Sequence, residues 1–207
     1  STHANFFDYD NDGDLDMYLV THPVDFIDKN KTKYFQKIEQ GKNLSNMFYI
    51  NNGDNTFTES HMKVGINNHG YGLSATVGDI NEDGFLDVFV SNDYAMYDYV
   101  YVNNGDGTFR DESLKAIKKT SINSMGTDIS DFNNDGFLDM FVVDMDMEDN
   151  YTYKTFMLSS QVEVMRILIN AGYGYQNRSN SLQLNNGDGT FAEISRTANV
   201  STTDWSW

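Results

Sequence analysis

The sequence predicts an all-β chain of β-propeller blades, each a four-stranded antiparallel unit, forming part of a larger ring. Three observations lead there. An acidic nine-residue stretch occurs three times: DYDNDGDLD at 8–16, DINEDGFLD at 79–87 and DFNNDGFLD at 131–139. A second motif follows each one: NNGDNTF at 51–57, then NNGDGTF at 103–109 and at 185–191. The residues that flank both motifs alternate apolar with polar, as half-buried strands do.

The spacing defines the unit. Asn51 to Asp79 is 28 residues, Asn103 to Asp131 is again 28, and Asp79 to Asn103 is 24, so the basic unit is 52 residues. A fixed period of this length marks a repeat architecture. The second unit is the plainest: GLSATVG is a strand entering the acidic loop and FLDVFVS a strand leaving it. YVYVNN is the third strand, and TFRDES starts the fourth. The Asn-Gly and Asp-Gly pairs between the last two tolerate positive φ and form a hairpin turn. Four short strands per unit suit a propeller blade. The blades fall at about 1–71, 72–123 and 124–205, all within one partial propeller over 1–207. Units one and three are longer only between acidic loop and hairpin, with insertions at about 21–46 and 146–175. Propellers typically close with about four to eight blades. Three would leave two raw edges, a pairing hazard. The remaining blades are therefore expected from the same longer chain or from a partner.

Composition narrows the function. The 207 residues are 39% hydrophobic and 14% aromatic, enough for a packed core. The formal net charge is −17, which argues against nucleic acid, since phosphate binding needs basic surface. Cysteine is absent, so no disulfide, zinc thiolate or thiol nucleophile exists. No apolar run approaches the ~18 residues of a membrane span.

The acidic stretches read as cation sites. Oxygens at positions 1, 3, 5 and 9, with a backbone carbonyl at 7, surround a hard cation, and glycine at 6 allows the sharp turn. The side-chain ligands would be Asp8, Asp10, Asp12 and Asp16; Asp79, Asn81, Asp83 and Asp87; Asp131, Asn133, Asp135 and Asp139. Carbonyls would come from Asp14, Phe85 and Phe137. Calcium takes six to eight oxygens and fits better than magnesium, which keeps its waters. About three Ca2+ ions are expected, bringing −17 to −11. An EF-hand would need a glutamate at position 12, where this chain has Leu19, Val90 and Val142.

Together, the acidic loop and the NNGDGTF hairpin resemble FG-GAP/VCBS-type repeats, the calcium-binding blades of integrin α-subunit heads and of many secreted bacterial proteins. The segment VVDMDMEDNY and the closing DWSW are similar to secreted VCBS-repeat proteins of Bacteroidota. The resemblance implies a seven-bladed ring, structural calcium and an extracellular or cell-surface location.

Recognition is expected from the insertions, as loops on a rigid scaffold commonly supply it. The first carries Lys29, Lys31, Lys33, Lys37 and Lys42; the second contains SSQVEVMRILINAG, which reads as a helix ended by Gly172. Asp144, Asp146, Glu148 and Asp149 crowd its start, and the aromatic runs DYAMYDYVY and YTYKTF offer faces for a sugar. The leading expectation is a calcium-stabilised binding or adhesion scaffold for a protein or carbohydrate ligand. Alternatives are a structural subunit of a surface assembly or nutrient-uptake complex, and a polysaccharide-acting enzyme. The enzyme reading is disfavoured: His3, His22, His61 and His69 sit in no catalytic motif, which leaves Asp93 and Tyr94 as its candidates.

Overall fold

A computed structural model of the chain describes residues 1–22, 46–68, 70–93, 96–149 and 174–204, with 151, 155, 166, 169, 170 and 172. The lysine-rich segment, Tyr94, His69, the closing tryptophans and most of the expected insertion helix lie outside the described residues.

Each strand-forming run becomes a strand of a four-stranded antiparallel sheet. The first sheet holds β1 (His3–Phe7), β2 (Asp16–Val20), β3 (Met47–Asn51) and β4 (Phe57–Glu59), in that order. The second holds β5 (Tyr71–Gly78), β6 (Asp87–Asp93), β7 (Tyr99–Asn103) and β8 (Phe109–Asp111). The third holds β10 (Ser124–Ser130), β11 (Asp139–Asp144), β13 (Ser181–Asn185) and β14 (Phe191–Glu193). A short helix, α1 (Ser113–Ala116), follows the second sheet. A two-stranded parallel ribbon joins β9 (Lys119–Ser121) to β12 (Tyr175–Asn177), which tethers the return of the second insertion to the entry of the third sheet. Each acidic loop links first strand to second, and each Asn-Gly hairpin links third to fourth. In a meander both connections fall at one end of the sheet. The connection that holds the insertions falls at the other.

The sheets stack through alternating faces. Tyr18, Val20 and Phe48 of the first sheet meet Val88, Val90 and Tyr101 of the second. The intervening Phe89, with Val100 and Val102, points the other way and meets Met140, Val142 and Phe191 of the third. Period-two alternation thus buries both faces of the middle sheet. Among the described residues the outer faces have no such neighbour. Phe6 is 57% exposed, Leu15 53% and Phe57 43% on the first sheet, and Phe132 is 45% exposed on the third. Their repeat equivalents pack inward: Phe109 is buried in one inter-sheet core with Val77 and Leu86 partly buried against it, and Ile80 is buried in the other.

The fourth strand of the first sheet runs into a tight turn. Val64 N donates to Ser60 O at 3.0 Å and Ile66 N to His61 O at 2.9 Å, with Gly65 at φ +83. The turn then reaches the next sheet, where Phe109 N donates to Val64 O at 2.7 Å. A Cβ on Gly65 would stand 2.4 Å from Phe109 O, so only glycine fits.

Candidate metal centre

Three equivalent loops share one hydrogen-bond pattern. The aspartate at position 1 accepts from two loop amides. Asp8 takes the amides of Asp12 and Gly13 at 3.1 and 3.0 Å. Asp79 takes those of Asp83 and Gly84 at 3.1 and 2.9 Å, and Asp131 those of Asp135 and Gly136 at 3.1 and 2.9 Å. The glycines Gly13, Gly84 and Gly136 have φ of +94, +88 and +99, with nothing near the place of a Cβ. Backbone conformation, rather than lack of space, selects glycine there. Position 4 is also left-handed: Asn11, Glu82 and Asn134 have φ of +59, +60 and +60.

Position 5 continues the turn. Asp12, Asp83 and Asp135 accept from the amides of Asp14, Phe85 and Phe137 at 3.0, 2.9 and 2.9 Å. Position 3 differs between loops. Asn81 and Asn133 donate to Asp83 and Asp135 at 2.9 and 2.7 Å, whereas the first loop has Asp10 there.

The closing aspartate does more than the sequence indicates. Asp16, Asp87 and Asp139 are buried. Asp16 accepts from Tyr9 N at 3.4 Å and Asn51 N at 2.9 Å. Asp87 accepts from Ile80 N at 3.0 Å and Asn103 N at 2.7 Å. Asp139 accepts from Phe132 N at 3.0 Å and Asn185 N at 2.8 Å. Each carboxylate therefore brackets its acidic loop to its own hairpin. The hairpin asparagine extends the link: Asn103 Nδ2 donates to Tyr9 O, and Asn185 Nδ2 to Ile80 O, each at 2.7 Å in the preceding sheet.

The charge left in the loops bears on what they hold. Carboxylate oxygens of Asp8, Asp10 and Asp16 lie within 4.8 Å of one another, the one such acid or histidine trio among the described residues. With asparagine at position 3, loops two and three carry one carboxylate fewer there. Burial pushes Asp16 up to about 6 and Asp87 up to about 7, although two amides donate to each and nearby carboxylates add to the rise. Burial and then the Asp12 carboxylate raise Asp10 as well. Hydrogen bonds are thus already supplied, and positive charge is what these groups lack. The ion pairs among the described residues are His61–Glu59, Arg110–Glu112, Lys115–Glu112 and Lys119–Glu193, none in an acidic loop. Asp14 Oδ1 is buried without a partner. An all-oxygen set with uncompensated charge fits a hard divalent cation.

Other sequence candidates fare differently. Asp144 is buried and accepts from Ser121 Oγ, Ile122 N at 3.2 Å and Asn123 N at 3.3 Å, so it caps a turn. It forms no acid trio with Asp146, Glu148 and Asp149. Two tyrosines of the first aromatic run are core rather than sugar platform. Tyr97 is buried with its hydroxyl donating to Ile117 O at 2.5 Å, and Tyr101 is buried against Tyr99 with ring centroids 5.6 Å apart. Strand alternation carried that signal for Tyr101 on β7, while Tyr97 precedes the strand. Asp93 is buried as well.

Comparison with known proteins adds three findings. The FG-GAP-like repeat family model matches residues 8–90 and 79–142. Integrin alpha-E of Mus musculus is 32% identical over 155 residues, 65% of this chain. The chain spans only 12% of that protein's length. A solved structure of an Agrocybe aegerita lectin that recognises non-reducing terminal N-acetylglucosamine aligns at 18% identity and a TM-score of 0.43. The alignment covers 90% of this chain and 36% of the lectin.

Proposed function

The chain belongs to the FG-GAP-like repeat family, and from that premise we propose that it is a calcium-stabilised β-propeller scaffold for binding or adhesion outside the cell. One observation carries the calcium reading. Three loops of oxygen donors are held by the same amide brackets, yet their acids have no cationic partner among the described residues. The ligands would be those expected from the sequence, with the carbonyls of Asp14, Phe85 and Phe137 at position 7. Likeness to an integrin α subunit supports adhesion, a protein ligand and an extracellular setting, with a carbohydrate as the alternative ligand. Resemblance to the secreted VCBS-repeat proteins of Bacteroidota points the same way. A binding role rather than catalysis is the reading we favour.

The division of each sheet into two ends supports placing recognition at the insertions. The bracketed loops and hairpins fill one end, and the insertions leave from the other. The exposed Phe6, Leu15, Phe57 and Phe132 support packing of further blades on the two outer faces, from the same longer chain or from a partner.

Calorimetric titration of calcium into the metal-stripped protein tests this. About three ions per chain are expected, with a rise in melting temperature. A site filled a hundredfold above its Kd contributes about 2.7 kcal/mol. No heat and an unchanged melt would remove calcium from the account, while failure to bind any ligand with calcium in place would remove only adhesion.

A further inference from the structure

The hairpin asparagine has a counterpart five residues earlier in each unit: Asn46, Asp98 and Asn180. All three are buried and do the same job at the insertion end of the sheet. Asn46 Oδ1 accepts from Thr21 N at 2.9 Å, and Asn180 Oδ1 from Asp144 N at 2.8 Å. Asp98 Oδ1 accepts from Asn92 N at 2.8 Å. Thr21, Asn92 and Asp144 are themselves repeat equivalents, each five residues after the closing aspartate of its loop.

The second polar atom distinguishes them. In the asparagines it is an amide that donates: Asn46 Nδ2 to Tyr18 Oη at 2.8 Å, and Asn180 Nδ2 to Thr203 Oγ1 at 2.7 Å. In Asp98 it is an oxygen, 2.8 Å from Ser124 Oγ at the start of the third sheet. A carboxylic acid carrying its proton there is a donor, like the amide it replaces. A serine hydroxyl can accept that proton or donate to the ionised form.

The surroundings disfavour ionisation. Asp144, on β11 of the third sheet, is the carboxylate facing Asp98, and Asp146 follows it. The nearby cation Arg178 acts on Asp146, and Lys119 of β9 pairs with Glu193 at 3.0 Å. The Tyr97 phenol beside Asp98 is committed to Ile117 O. Burial foremost, then Asp144, pushes Asp98 up to about 8, against two hydrogen bonds that favour its charge.

We propose that Asp98 is the proton-bearing member of a latch between the second and third sheets, neutral when it ties the two together and ionised when that junction loosens. The described ends of the second insertion meet this junction through three contacts. Asp144 holds the Ser121–Asn123 turn, β9 pairs with β12, and Tyr97 lies against Gly174, where a Cβ would come 2.5 Å from the ring.

The test compares wild type with D98N under saturating calcium between about pH 6 and pH 9. Wild type is expected to lose about 3–5 °C of melting temperature per pH unit in excess of D98N up to about pH 8. Amide exchange in the peptide spanning 118–124 should accelerate in parallel. D98N restores the asparagine of the other two units, so it should fold. The infrared carbonyl band of a protonated acid should be present in wild type near neutral pH and absent in D98N. D144N should move the break in the wild-type profile to lower pH. Equal pH slopes in wild type and D98N, or no infrared difference between them, would overturn the latch.

Discussion

Replacing the hairpin asparagines with alanine should reveal how much one sheet contributes to holding the next. Asn103 is buried and its side chain makes three hydrogen bonds. Its Nδ2 donates to Tyr9 O at 2.7 Å and Leu86 O at 3.2 Å, and its Oδ1 accepts from Gly105 N at 3.0 Å. Asn185 repeats the set with Ile80 O, Leu138 O and Gly187 N at 2.7, 3.1 and 2.9 Å. The Asn51 side chain makes two bonds, both local, to Leu15 O and from Gly53 N, each at 3.1 Å. A net hydrogen bond contributes about 1 kcal/mol, and a buried group left unpaired costs about 1–3 kcal/mol. N103A and N185A should each destabilise by about 3–4 kcal/mol, because Tyr9 O or Ile80 O loses this donor inside the junction. N51A, with two partly exposed local bonds, should cost about 1–2 kcal/mol. At about 2–4 °C per kcal/mol, the predicted losses are about 6–16 °C against about 2–8 °C. Urea and thermal melts of the 207-residue chain at saturating calcium separate these. If N51A proved as damaging as N103A, the inter-sheet bond would be worth nothing beyond the turn, and the reasoning would fail.

Three further outcomes follow from the packing. G65A should lower the midpoint by more than the ~1 kcal/mol of a simple left-handed penalty, because its Cβ would strike Phe109 O; a near-neutral result in a denaturant series would contradict the geometry. I80A should cost about 2–4 kcal/mol, whereas F132A, at the equivalent but exposed site, should cost less than about 1 kcal/mol; chemical denaturation checks both. Chelation should lower the melting temperature of wild type, and D83N should weaken calcium at the second loop while the other two still fill, leaving about two ions per chain by calorimetry.

Much of this molecule was legible in the sequence because its signals are local. Strand alternation in GLSATVG and YVYV, and the Asn-Gly turns, act within a few residues, and β5, β7 and the hairpins formed where they indicated. The ligand-spaced aspartates were legible for the same reason. What escaped were partners distant in sequence. Asp87 reads as a ligand, but its bracket to Asn103 N spans 16 residues, and the bond from Asn103 to Tyr9 O spans 94. Nothing in a turn motif announces either. The left-handed conformation at position 4 was half visible: asparagine at 11 and 134 signals it, while Glu82 does not. Alternation also bore on the aromatic run, since residues of opposite parity on β7 must face different sheets. One signal was available at no cost in information: aligning the units shows Asp98 where Asn46 and Asn180 stand.

The two ends of each sheet then carry different constraints. At the loop end the three units share one hydrogen-bond pattern, down to the amide that each closing aspartate accepts from its hairpin. Such repetition is what a scaffold needs, because each junction must present the same surface to the next sheet. At the insertion end the units diverge: an asparagine becomes Asp98, a threonine becomes Asp144, and a parallel ribbon joins the return of the second insertion to β9. Variation placed there leaves the inter-sheet cores untouched, since the residues that build them alternate along the strands between the two ends. A ligand site at the loop end would have to compete with the brackets that hold the sheet together and with the cations proposed there. One at the insertion end can change chemistry without that penalty, and there the buried acids Asp98 and Asp144 already set the second junction apart from the first.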